Sequence, residues 1–207
     1  MRCTAIADDS KEEFMKTNKK QRIETLVLGA ILTALVILLQ VLGAFIRFGP
    51  FSVSLVLLPI VIGASVGGPW LGAWLGTVFG AAVLISGDAA VFFAIDPVGT
   101  VVTVLAKGLL CGLCAGVVYA ALGKLKVNRY GKVLASALIC PVVNTGVFLL
   151  GCLCFFMDTI KVWAGDTNVV QYMFLGLVGA NFLVEVGVNL ILCPIVVRLL
   201  NIRKQPK

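Results

Sequence analysis

Residues 97–122 read PVGTVVTVLAKGLLCGLCAGVVYAAL, 26 positions that carry a single charge, Lys107. As a helix this stretch is about 39 Å long at 1.5 Å per residue, enough to cross the roughly 30 Å hydrocarbon core of a bilayer. Gly108, Gly112 and Gly116 recur at four-residue spacing within it, a pattern that lets membrane helices approach closely. The rest of the chain has the same character. Of 207 residues 60% are hydrophobic and only 13% are charged, about half the ~25% charge that a soluble domain carries. Mean hydropathy is +1.06. A large soluble domain, and with it soluble enzymes and receptors with large ectodomains, is therefore excluded.

Apolar runs lie at about 23–48, 53–67, 70–86, 97–122, 132–157 and 170–200. They predict an all-α integral membrane protein, a compact bundle of six transmembrane helices spanning 23–200. GlyGlyPro at 67–69 predicts a tight turn that makes the second and third helices a close hairpin. Residues 1–22 mix both charge signs and lack the apolar core of a signal peptide; they are expected to form a cytosolic, poorly ordered tail, with Met15 a more ordinary start than Met1. Residues 201–207 form a second cytosolic tail. Six basic residues precede the first span (Arg2, Lys11, Lys16, Lys19, Lys20, Arg22), four lie at the fourth connection (Lys124, Lys126, Arg129, Lys132) and four at the end (Arg198, Arg203, Lys204, Lys207). Six spans place all of these on one side, opposite Arg47, Lys161 and the acids Asp88, Asp96, Asp158 and Asp166. The basic bias marks the cytoplasmic face, so both termini are expected there. Topology thus accounts for the net charge of +7, without nucleic-acid binding.

The chain has no His, which removes His-ligated metals and His-based acid/base catalysis. It has no phosphate-binding GxxxxGK[ST] loop either, so energy from ATP must come from a partner. Six of the seven cysteines lie in apolar runs and read as small hydrophobes. The pair Cys111 and Cys114 stands alone within a span, so it is read as packing and not as a metal or redox site; no metal or cofactor is expected. What remains is a handful of polar groups at membrane depth, costly there and normally turned to the protein interior or a cavity: Lys107, Asn144, Asn181, Glu185 and Asn189. The last three share one stripe of the sixth helix at four-residue spacing. Lys107, Asn144 and Asn181 lie about 14, 20 and 16 Å from the outer ends of their helices, so one cavity reached from outside accommodates all three. The alternative is a structural ion pair of Lys107 with Glu185, with the asparagines bridging helices.

The order of GAILTAL (29–35), FSVSLVLLPIVIGA (51–64), GPWLGAWLG (68–76), KGLLCGLCAGVVY (107–119) and PVVNTG (141–146) resembles a substrate-binding S component of an energy-coupling factor (ECF) transporter, nearest to the pantothenate and folate type. The resemblance runs from about residue 17 to 198. It implies a six-helix vitamin-binding subunit of the bacterial cytoplasmic membrane that works with a transmembrane T component and two ABC-type ATPases. It implies a substrate site in the outward half, walled by helices four to six and covered by the connections matching 47–52, 87–96 and 158–169. It also implies docking of the T component on an Ala-x-x-x-Ala patch, matched by Ala30 and Ala34, where ordinary helix packing is the alternative.

The expected function is therefore that of a non-enzymatic binding subunit for uptake of a small water-soluble vitamin or related metabolite. A solitary ion-coupled carrier with Glu185 as its proton-carrying group is the alternative; such carriers are commonly built from two repeats, and no convincing repeat is evident. An intramembrane enzyme lacks the paired acids or Ser-Lys dyad it would need. The topology has a direct test. In a Cys-free background, Asp88→Cys and Asp166→Cys should react with an impermeant thiol reagent on intact cells and Arg129→Cys should not; the reverse pattern overturns the orientation.

Overall fold

A computed structural model describes the backbone of residues 2–44, 47–48, 51–52 and 55–203, and the side chains of 19, 22–44, 55–179 and 181–198. Helix α1 (Arg2–Gly43) leads to a two-residue antiparallel ladder of β1 (Arg47–Phe48) and β2 (Phe51–Ser52). There follow α2 (Leu57–Ile85), the short α3 (Ala90–Phe93), α4 (Pro97–Lys124), α5 (Arg129–Phe155), α6 (Met157–Ala164), the single turn α7 (Val169–Gln171), a π-helical segment (Tyr172–Leu177) and α8 (Gly179–Arg203). Among the described residues five helical stretches are long and apolar enough to cross a membrane: Arg22–Gly43, Leu57–Ile85, Pro97–Lys124, Arg129–Phe155 and Asn181–Arg198. Large apolar side chains such as Leu26, Trp70, Leu109, Leu150 and Ile191 stand exposed on all five. Water would penalise such a surface; lipid does not. The chain is a multi-pass membrane protein.

Helix α2 is broken at its middle. Gly68 has φ 77° and ψ −170°, outside any helical geometry, and Pro69 starts the next turn. Only glycine adopts such a φ without strain, and proline is suited to a helix start. The halves fold back on each other: a Cβ at Gly72 would lie 3.0 Å from that of Ala64, and one at Gly63 would strike Leu75. Residues eight and twelve apart, about 12 and 18 Å in a straight helix, are here in contact. The hairpin expected from GlyGlyPro is therefore present, within what is otherwise one helical stretch.

The second half of α2 runs antiparallel to α4 at backbone contact. A Cβ added at Gly76 would fall on the carbonyl oxygen of Gly108, one at Gly72 on that of Gly112, and one at Gly80 would come within 2.8 Å of that of Val104. The main core grows around this seam, from Leu32 and Val36 of α1, Leu57, Ile60, Leu75 and Phe79 of α2, Cys111 and Ala115 of α4 and Ala137 and Cys140 of α5. A second, aromatic cluster joins Phe92, Phe156, Ile160, Met173 and Leu177. Cys111, Cys140, Cys152 and Cys193 are buried free thiols, in keeping with their reading as small hydrophobes.

Several boundaries depart from expectation. The first span ends at Gly43 instead of 48, and α1 starts at Arg2, within the segment expected to be a tail. The C-terminal tail falls largely on 204–207, outside the described residues, as does part of the 47–52 connection. The expected loops 87–96 and 158–169 contain α3 and α6; Ile160 and Ala164 of α6 are buried, and that burial draws the segment into a helix against Phe156. The sixth run, expected as one helix over 170–200, is interrupted. Val178 N–H donates to the carbonyl of Met173, five residues back, at 3.3 Å, and Val178 itself has φ −116°. A π turn of this kind is uncommon and frequently marks a functional position.

Candidate ligand-binding cavity

Each wall of the cavity is positioned by a feature already visible in its helix. Asp96 caps α4, accepting from the N–H groups of Val98 and Gly99 at 3.0 Å, with Pro97 at the first helical position. Ten residues on is Lys107, beside Gly108 in the glycine seam. Asn144 lies on α5, and Asn181 and Glu185 lie one turn apart at the start of α8. All four line one cavity of about 460 Å³, together with Asp88, Thr145 and the π-segment residue Leu177. Four of the five polar residues singled out in the spans thus converge.

Lys107 sets the electrostatics. Its Nζ lies 5.7 Å from the ring centroid of Phe79 and 5.4 Å from that of Phe148. Among the described residues it makes no ion pair. Contacts with ring faces contribute ~1–2 kcal/mol where water is excluded, less than the several kcal/mol that a buried ammonium loses with its hydration. An ammonium held this way, with hydrogen-bond donors unspent, is suited to an anionic ligand group.

Around it, the polar stripe of α8 divides. Asn181 donates from Nδ2 to Glu185 Oε1 at 3.2 Å, and its own Oδ1 is buried with no hydrogen-bond partner, as is Oδ1 of Asn144. Asn189 has a different task. Its Nδ2 donates to the Ala137 carbonyl at 3.2 Å, and Ala137 stands four residues before Pro141, which has no N–H to give it. Asn189 thus supplies the bond that Pro141 cannot, ties α8 to α5, and does not line the cavity.

Two residues not singled out from sequence complete the site. Gln40 of α1 is buried, 1% exposed, and its Nε2 reaches Ser86 Oγ at 3.5 Å and Asp88 Oδ2 at 3.3 Å. It holds a connection residue against the cavity; a lone Gln in the apolar run VILLQVLG was the available signal. Asp88, read only as an outer-loop acid, lines the wall. Ala30 and Ala34 lie far from this site in a different setting: both are exposed, in an apolar groove of about 1,060 Å³ between α1 and the second half of α2 that Gly29, Ile37, Leu71 and Trp74 also line.

The division of the asparagines predicts opposite stability effects. An unsatisfied buried polar atom costs ~1–3 kcal/mol, so Asn144→Leu should raise the Tm of the ligand-free protein in detergent by a few degrees, at about 2–4 °C per kcal/mol. Asn189→Leu should lower it by a similar amount, because the Ala137 carbonyl is then unpaired. Equal effects of the two substitutions contradict the assignment.

Among known families the chain matches the ECF transporter, substrate-specific component, over residues 24–197. No curated protein matches the chain.

Proposed function

The chain belongs to the substrate-specific components of ECF transporters, and we propose that it captures a small acidic, water-soluble vitamin or related metabolite from outside the cell for ATP-driven uptake. Components of this family are transport subunits that bind small substrates and work with a T component and ATPases. In this reading the chain spans the bacterial cytoplasmic membrane six times, the two halves of α2 counting as separate spans about the Gly68 break, and both termini are cytoplasmic. The membership also argues against a solitary carrier, since such subunits act within a larger assembly.

The observation that carries the substrate reading is Lys107: a cation in the membrane-embedded part of the fold, facing a cavity with buried asparagine oxygens that lack partners. A vitamin carboxylate entering such a site needs a cationic or multiply hydrogen-bonding partner. Asn144, Asn181 and Glu185 bond its polar atoms; Asn189 ties their two helices together. Lys107→Met should weaken ligand binding at least tenfold, about 1.4 kcal/mol, with the fold intact by circular dichroism and gel filtration. Unchanged affinity contradicts the assignment. If Lys107→Met and Glu185→Leu each lose the fold and the double variant regains it with binding intact, the pair is structural.

The groove at Ala30 and Ala34 is the proposed docking face for the T component, which in turn joins two ABC-type ATPases. Small exposed residues on a spanning helix leave room for a second helix to approach. Ala30→Trp or Ala34→Trp should abolish co-purification of the partner subunits and uptake, while the isolated chain binds ligand normally. Loss of binding with assembly intact assigns these alanines elsewhere.

A further inference from the structure

The cavity is not a single chamber. A second lobe of about 380 Å³ shares Val83, Asp88, Lys107 and Phe148 with the first, so Lys107 and Phe148 stand at the waist between them. The two lobes differ in chemistry. The first presents the asparagines. The second is walled by Phe92, Phe148, Phe156 and Val104, with Phe92 at the centre of an edge-to-face cluster: its ring centroid lies 5.6 Å from Phe148 at 87°, 5.0 Å from Phe156 at 72° and 5.7 Å from Trp163 at 72°.

From this division we propose that the ligand is built in two parts. A flat aromatic or heteroaromatic ring sits in the phenylalanine lobe, and a chain bearing N–H or O–H donors and an anionic group extends into the other lobe, where Asn144 and Asn181 accept from the donors and Lys107, which lines both lobes, meets the anion. The proposal rests on the reading of this cavity as the capture site and narrows the class of its substrate. Rings meeting edge to face have favourable contacts that a saturated ring of the same size does not make, and three phenyl walls offer them. Apart from Lys107 and Asp88, which it shares with the first lobe, the lobe has little to bond: the Thr100 hydroxyl is committed to the Asp96 carbonyl at 2.7 Å. Thr103 Oγ1 is buried without a partner and provides one hydrogen bond to a ring heteroatom or substituent. In the other lobe Asn144 Oδ1 and Asn181 Oδ1, both acceptors, are buried without hydrogen-bond partners. The Asn181 amide nitrogen is already held by Glu185, so its oxygen is the atom it offers. Acceptors require donors, which selects an amide, amine or hydroxyl chain over an ester or ether.

The test uses defined probes on the purified full-length chain in detergent. Hippurate carries a phenyl ring, an amide N–H and a carboxylate; N-cyclohexanecarbonylglycine has the ring saturated; N-acetylglycine has no ring; pantothenate is a ringless hydroxy-amide acid. Dissociation constants from thermal-shift titration should place hippurate at least tenfold tighter than N-acetylglycine and at least threefold tighter than the saturated analogue. Phe92→Leu should cut the advantage of hippurate over N-acetylglycine to under threefold, and Lys107→Met should weaken hippurate at least tenfold. If pantothenate or N-acetylglycine binds as tightly as hippurate and depends on Lys107, the ring lobe is wrong while the capture site stands. If hippurate binds without dependence on Lys107, or no probe binds, both the two-part ligand and the cavity as capture site are overturned. The ranking on the unaltered protein decides the matter even where Phe92→Leu does not fold.

Discussion

Everything else in this fold depends on the backbone contact between the second half of α2 and α4. Three residues along each helix have no side chain to hold the axes apart, and a Cβ at Gly72, Gly76, Gly108 or Gly112 would collide with the facing backbone. In lipid no hydrophobic force draws helices together, so close packing has to supply the association. The seam sets where Lys107 goes. It follows Gly76 and Gly108 into the bundle, places the Phe79 ring within 5.7 Å of the ammonium, and leaves the adjoining face of α4 turned toward α5 and α8.

Around that seam, in the proposed reading, the protein separates stability from recognition with chemically similar residues. Asn189 and Asn144 are both buried asparagines on spanning helices. One completes the backbone bonding that Pro141 interrupts; the other keeps an oxygen unpaired next to a cavity. The unpaired groups are a cost in the empty protein that a matching ligand removes, and this is how a binding site commonly differs from a core. The π turn and the Val178 break act in the same direction: they end the regular helix where Leu177 and Val178 face the cavity.

Much of this was legible in the sequence because a bilayer imposes simple rules. Span positions followed from hydropathy, the reversal at 67–69 from Gly-Gly-Pro, and Lys107, Asn144, Asn181 and Glu185 stood out because polar groups are rare at that depth. What stayed hidden depends on partners far away in the chain. Asn189 looked equivalent to Asn181 because its task is set by Pro141 on another helix. Gln40 and Asp88 meet across 48 residues, and neither gains meaning without the other. Phe92 lies in a connection read as loop, so its place among Phe148, Phe156 and Trp163 could not be seen from spacing. The interruption at 172–178 had only Gly176 and Gly179 as signals, and a five-residue hydrogen bond leaves no mark on an apolar run.

The central claim is that the isolated chain is a stoichiometric receptor whose embedded cation selects an acidic ligand. Native mass spectrometry of the purified chain, without partner subunits or nucleotide, tests it most directly. The account predicts one small acidic molecule bound per chain, released on denaturation and missing from Lys107→Met protein prepared in the same way. A chain that carries no ligand and acquires none from a panel of B-vitamins, or one whose ligand is retained in full by Lys107→Met, contradicts it.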